Sequence, residues 1–172
     1  MSKAFEYQRL LDQAQRLDGA AFARALKFPV LYVEQFLAAA DSLKVATLKG
    51  DTTTSQRVDL FFPLEKREGS NVFLNMITLG RAQNNDLVLE GEGISKFHAY
   101  FTQVGEKWLL VDAGSSFGTF VNDRKLEPRS ERAVLEPGAR VRFGNTLVGK
   151  FLDAATCHEM LLASSPGNVR RF

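Results

Sequence analysis

The chain has 172 residues, 45% of them hydrophobic, long enough to bury its own core as one domain with an extension. A net charge of +2 is too small to argue for a nucleic-acid or membrane partner. The single cysteine, Cys157, excludes an internal disulfide and fits a reducing compartment.

Charged residues interrupt any apolar run in Met1-Ser2-Lys3-Ala4-Phe5-Glu6, so no signal peptide is read there. No apolar segment approaches membrane-spanning length, and a cytoplasmic location is expected. Residues 1–49 read as a helical N-terminal extension. Leu10, Ala14 and Leu17 recur at i, i+4, i+7, Gly19 breaks the pattern, and Ala21, Ala25 and Leu26 predict a short second helix. Pro29 can open a third, with Val30, Val33, Phe36, Leu37 and Ala40 on one apolar face. Short amphipathic helices bury little alone, so they need a partner surface: the rest of this chain, or a docking or dimerisation partner.

Residues 50–56 form a polar linker in which Thr52, Thr53 and Thr54 are candidate phosphate acceptors. From Arg57 the period becomes strand-like. Val58–Phe62, Asn71–Ile77, Leu87–Leu89 and Thr119–Val121 are β-rich runs. Ala99–Val104 and Lys107–Asp112 predict a hairpin across Gly105-Glu106. Arg140–Phe143 and Thr146–Phe151 predict another across Gly144-Asn145. Many short strands with Gly and Asn at the turns indicate a β-sandwich over residues 57–152. Asp153 can cap a last helix over Ala154–Ala163, within a C-terminal segment 153–172.

Four short motifs fall within this strand-rich region, each after a strand-like run: Gly80-Arg81, then Ser95-Lys96-Phe97-His98, then Ser116-Phe117-Gly118-Thr119, then Asn122-Asp123. An arginine, hydroxyls and glycines gathered on loops are the chemistry of an anion site. Arg81 has the fork geometry that grips phosphate oxygens and keeps its charge, and Ser95 can donate a hydroxyl hydrogen bond.

The order Gly-Arg, Ser-x-x-His, Gly-Thr, Asn resembles the forkhead-associated (FHA) domain, a phosphothreonine-reading β-sandwich, here of bacterial type with a helical N-terminal extension. The resemblance implies a mainly β fold of about eleven strands in two antiparallel-dominated sheets. It implies a phosphothreonine site at Arg81, Ser95, Lys96, Ser116 and Phe117, with Gly80, His98, Gly118 and Asn122 holding the loops. Some bacterial FHA proteins also carry an acceptor threonine in an N-terminal segment that their own domain reads, which Thr52–Thr54 would match. Two positions depart from the family. Phe117 stands where the family has Asn, an amide that bonds the bound peptide's backbone. Asp123 follows Asn122 where the family has Gly.

The implied function is a non-enzymatic adaptor, without cofactor or metal, for a threonine-phosphorylated protein, such as a Ser/Thr kinase or its substrate. The alternative is a phosphate-independent scaffold of the same fold, working through Phe117 or the N-terminal helices. An enzyme using Ser95 and His98 lacks any paired carboxylate or triad order. A metal at His98 lacks a second ligand at useful spacing, since Cys157 and His158 point apart on a helix. No basic, aromatic-interleaved run marks a nucleic-acid binder.

Overall fold

The computed structural model describes residues 5–36 and 57–164. The linker threonines Thr52–Thr54 lie outside them, as do the second half of the expected third helix and the C-terminal tail. The described residues form twelve strands and three helices: β1 (Phe5–Glu6), α1 (Tyr7–Arg16), α2 (Gly19–Leu26), β2 (Val30–Phe36), β3 (Arg57–Pro63), β4 (Ile77–Gly80), β5 (Leu87–Val88), β6 (Ala99–Val104), β7 (Lys107–Asp112), β8 (Thr119–Val121), β9 (Arg124–Lys125), β10 (Ala133–Leu135), β11 (Arg140–Phe143), β12 (Leu147–Leu152) and α3 (Ala154–Ala163). They form a seven-stranded sheet, β1-β3-β2-β12-β11-β8-β9, packed on a five-stranded sheet, β10-β7-β6-β4-β5. Among the described residues every strand pairing is antiparallel except β4 with β5. Mainly β, two sheets and terminal helices is the architecture the resemblance implies.

The clearest departure is at residues 30–36. Helical spacing predicts a third helix opened by Pro29, but the segment is β2, paired with β3 from Val30↔Pro63 to Phe36↔Arg57 and with β12 on its other edge. Leu31 and Val33 face the core between the sheets, while Val30 and Tyr32 face the helices. A strand buried on both faces reads as a continuous apolar run, which periodicity alone cannot tell from a helix. The β-branched and aromatic residues Val30, Tyr32 and Val33 fit the strand better. The seven-stranded sheet therefore draws strands from both sides of residues 37–56.

The expected strand over Asn71–Ile77 shrinks to Ile77–Gly80. The residues before it form an irregular loop because Asn71 is spent on side-chain bonds to Ser70, Thr78, the Asn84 carbonyl and Asp86. The β6–β7 hairpin turns across Gly105-Glu106 as expected, with Val104 opposite Lys107. The β11–β12 turn holds three residues rather than two, because Phe143 pairs with Leu147. Strands β1, β9 and β10 are too short to show a period in the sequence.

The two cores meet at the seven-stranded sheet. Leu79, Phe101, Leu110, Val141, Phe143 and Phe151 fill the space between the sheets. On the sheet's outer side Leu10, Phe22 and Leu26 of α1 and α2 pack with Cys157 and Leu161 of α3 against Val30, Tyr32, Phe61 and Leu152. The helices thus spend these apolar residues inside the chain. Asp18 and Asp153 cap α2 and α3, accepting from the backbone N–H of Ala21 and Thr156, which is worth about 1 kcal/mol each. His158 Nε2 lies 3.1 Å from the carbonyls of Ala14 and Leu17, joining α3 to the end of α1. Burial, and then Asp153, push the Cys157 thiol up to about 12, so it acts as a small core hydrophobe.

Candidate functional site

Three loops converge at one end of the sandwich: residues 81–86, 89–98 and 113–118. The first two are stitched backbone to backbone. Arg81 N–H donates to the Ser95 carbonyl at 3.0 Å, Ala82 N–H to the Lys96 carbonyl at 3.1 Å, and His98 N–H to the Leu79 carbonyl at 2.8 Å. Buried Asn85 adds side-chain bonds to the carbonyls of Ala82 and Lys96. This close approach needs Gly80, since a Cβ there would collide with the carbonyls of Lys96 and Ser95.

The second and third loops meet through Ser95. Its Oγ accepts from the Ser116 N–H at 3.1 Å and lies 3.4 Å from the Ser116 Oγ. Fully buried His98 ties the same loops from beneath. Its Nδ1 accepts from the Ser95 N–H at 3.1 Å, which leaves Nε2 to donate to the Gly118 carbonyl at 3.2 Å. That carbonyl also accepts from the Gly144 N–H at 2.9 Å, bringing the β11–β12 turn into the cluster. Burial lowers the His98 pKa, and the opposing influences of the Gly118 carbonyl and the Asp112 charge do not restore it.

The 113–118 loop is organised by Asp112, a residue whose role the family motifs do not mark. Its carboxylate accepts four bonds, from the N–H groups of Gly114 and Ser115 and the hydroxyls of Ser115 and Thr119. Ser115 Oγ in turn accepts from the Gly118 N–H. Burial alone would raise the Asp112 pKa, but these hydrogen bonds together outweigh it and hold the group below the usual carboxylate range. The sequence signal is an Asp at a strand end followed three residues on by Ser, the pattern of a side-chain-capped turn.

Arg81 is exposed, and among the described residues its guanidinium has no ion-pair partner. Of the two carboxylates a surface pairing would use, Asp86 is buried and committed to Lys66, Ser70, Thr78 and the Arg67 N–H, and Glu90 forms no ion pair with Arg81. Lys96 is also exposed, on the loop between Ser95 and His98. Arg81, Ser95, Lys96 and Ser116 stand on loops bonded to one another, a rim that offers two hydroxyls and two exposed cations. Such a rim can hold a tetrahedral dianion by charge-assisted hydrogen bonds.

The remaining motif residues lie around that rim. Phe117 is 49% exposed, with its ring 3.5 Å from where a Gly93 Cβ would stand, so it leans on the facing loop without entering the core. Gly118 takes φ +87, a conformation that favours glycine. Asn122, at φ 48, fixes the β8–β9 turn by accepting from the Arg140 N–H through its side chain and donating its own N–H to the Arg140 carbonyl. Asp123, at φ 66, holds Arg140 in an exposed ion pair, so the left-handed turn forms without the family's glycine.

The family profile described as FHA domain matches residues 77–144, the stretch that holds all of these loops. A human protein, "Angiogenic factor with G patch and FHA domains 1", is 35% identical over 106 residues, 56% of this chain and 14% of its own length. The "FHA domain-containing protein FhaB" of Mycolicibacterium smegmatis is 36% identical over 73 residues, 42% of this chain and 44% of its own. The chain thus spans less than half the length of these relatives. The solution structure of the FHA domain of an Arabidopsis thaliana hypothetical protein overlays with a TM-score of 0.48 at 21% identity, over 73% of this chain and 86% of that one.

Proposed function

Since the FHA domain profile matches residues 77–144, we propose that the chain is a phosphothreonine-dependent binding adaptor in Ser/Thr kinase signalling. The observation that carries this reading is the bridged pair of hydroxyls of Ser95 and Ser116, with Ser95 itself bonded to the backbone of Arg81, whose exposed guanidinium has no ion-pair partner among the described residues. A phosphothreonine brings about −1.5 to −2 charge at pH 7 and would complete the bonds this rim leaves open. In this reading Arg81, Ser95, Lys96 and Ser116 grip the phosphate, while Gly80, His98, Gly118 and Asn122 hold the loops. Phe117 replaces the amide that would bond the peptide backbone, so it meets the partner only by packing. The implied partner is a threonine-phosphorylated protein, and the adaptor works in the cytoplasm. Matched peptides carrying phosphothreonine, phosphoserine or unmodified threonine test the reading by titration. Binding in that descending order is expected, and equal affinity for all three would overturn it.

A phosphate-independent scaffold is favoured by one observation. The loop before β4 displays Val72 at 85% and Leu74 at 81% exposure, and between them Phe73 stacks on exposed Phe97 with ring centroids 6.0 Å apart. The N-terminal helices offer it less, because Leu10, Phe22 and Leu26 are buried against α3 and the sheet.

A further inference from the structure

Both glycines of the 113–118 loop are covered by cations. A Cβ at Gly114 would lie 2.7 Å from Nε and Nη2 of Arg129. One at Gly118 would lie 2.5 Å from Cε and 3.4 Å from Nζ of Lys125. The bare backbone at these two positions is what lets the two long side chains lie across the loop. Each is held there by its own strand or turn. Lys125 pairs with Phe120 across β8–β9, and Arg129 donates Nε to the Ala113 carbonyl at 3.2 Å.

Nearby carboxylates do not neutralise them. Asp112 is saturated by the loop, Asp123 holds Arg140, and Glu131 holds Arg124. Glu127, between the two cations in sequence, forms no ion pair with a described residue. Lys125 and Arg129 likewise have no carboxylate partner among the described residues. The exposed acids Glu92 and partly exposed Glu90 belong to the facing 89–98 loop, so the free cations and those acids enter from different loops.

We propose that Lys125 and Arg129 form an electrostatic subsite selecting a partner with acidic residues on one side of its phosphothreonine. This rests on the phosphothreonine reading of the rim, to which the 113–118 loop contributes Ser116. Exposed charge pairs are individually weak and screened beyond about 8 Å at physiological salt, so two together should alter affinity modestly and in a salt-dependent way.

The test uses three phosphothreonine peptides of equal length, with neutral flanks, an acidic block before the phosphothreonine, or the same block after it. Binding is measured by fluorescence anisotropy at about 0.05 M and about 0.3 M salt. One acidic orientation should bind about three- to tenfold tighter than the neutral peptide at the lower salt, with the gain shrinking at the higher. The double variant Lys125→Gln, Arg129→Gln should lose that gain and keep its affinity for the neutral peptide. No gain in either orientation, or a gain that survives in the variant, overturns the subsite. Unphosphorylated versions separate the two ideas. Phosphate dependence without an acidic gain leaves the phosphothreonine reading and removes the subsite. An acidic gain that needs Lys125 and Arg129 but not phosphate does the reverse.

Discussion

The Ser95 N–H donates to His98 Nδ1 at 3.1 Å, and so the two loops that carry the hydroxyls are joined through one neutral imidazole whose Nε2 reaches Gly118. Protonating Nδ1 would turn an acceptor into a donor facing another donor. Ser95 would then lose the bond that sets its backbone beneath the rim.

That relationship has a pH signature. His98 has a folded pKa lowered first by burial, below its unfolded value of about 6.5. The unfolded chain therefore binds more protons in that window, and stability rises with pH through it. The contribution is fully present above about 6.5 and is lost as pH falls toward the folded value. Urea denaturation at neutral pH and about one unit below the unfolded pKa should show wild type losing stability and His98→Gln losing less. A loss of equal size in both would separate His98 from the effect.

Asp112 works in the acid range. Its carboxylate is buried yet held below the ordinary value by four bonds. A depressed folded pKa contributes stability above the unfolded value of about 3.9 and loses it as pH falls further. Asp112→Ala would also strand two N–H groups and two hydroxyls, so a destabilisation of at least about 3 kcal/mol is expected in chemical denaturation. Asp112→Asn, which keeps an acceptor oxygen, should cost less. Near-wild-type stability of the Ala variant would show that the network carries little.

How much of this was legible in the sequence follows from what each residue's signal is made of. Gly80, Arg81, Ser95 and His98 were legible because they match the order of the FHA motifs, and the structure adds the close backbone approach at Gly80 and the loop-bridging ring of His98. Asp153 was legible for a similar reason, as a cap before a short apolar stripe, and it accepts the Thr156 N–H as read. Val30–Phe36 was not, because a strand covered on both faces has no alternation to show. Asp86 was not legible, since its partners reach back to Lys66, 20 residues away in the chain, whereas Asp112 bonds groups within seven residues and is signalled only by the Ser three positions on. Lys125 and Arg129 gain meaning only from the glycines beneath them.

Gly80→Ala tests the close approach directly. The added Cβ meets backbone carbonyls of Ser95 and Lys96, which cannot swing aside like a flexible side chain. A loss of about 1–3 kcal/mol is expected in thermal or urea denaturation, as for other overpacked positions. Phosphopeptide affinity should fall with it, because the same carbonyls hold Arg81 and Ala82. An unaffected affinity would place the phosphate elsewhere.

Phe117→Asn examines the departure from the family. The ring is half exposed and leans on Gly93, so its removal should leave the fold intact. If an amide restores one or two backbone bonds to a peptide, each worth about 0.5–1.5 kcal/mol, generic phosphothreonine peptides should bind about two- to hundredfold tighter. If the ring anchors the native partner, affinity for that partner should drop instead, even without phosphate. Both affinities unchanged in titration would leave the ring as loop filling alone.

The most direct measurement is titration calorimetry of one phosphothreonine peptide, and its unphosphorylated twin, against wild type and Arg81→Ala. A charge-assisted hydrogen bond contributes about 1.5–3 kcal/mol, so the variant should bind the phosphopeptide at least about tenfold more weakly. Wild type should favour the phosphorylated peptide clearly over its twin. Wild type and Arg81→Ala binding the phosphopeptide with the same affinity, or wild type failing to distinguish the two peptides, would contradict a phosphate grip at Arg81.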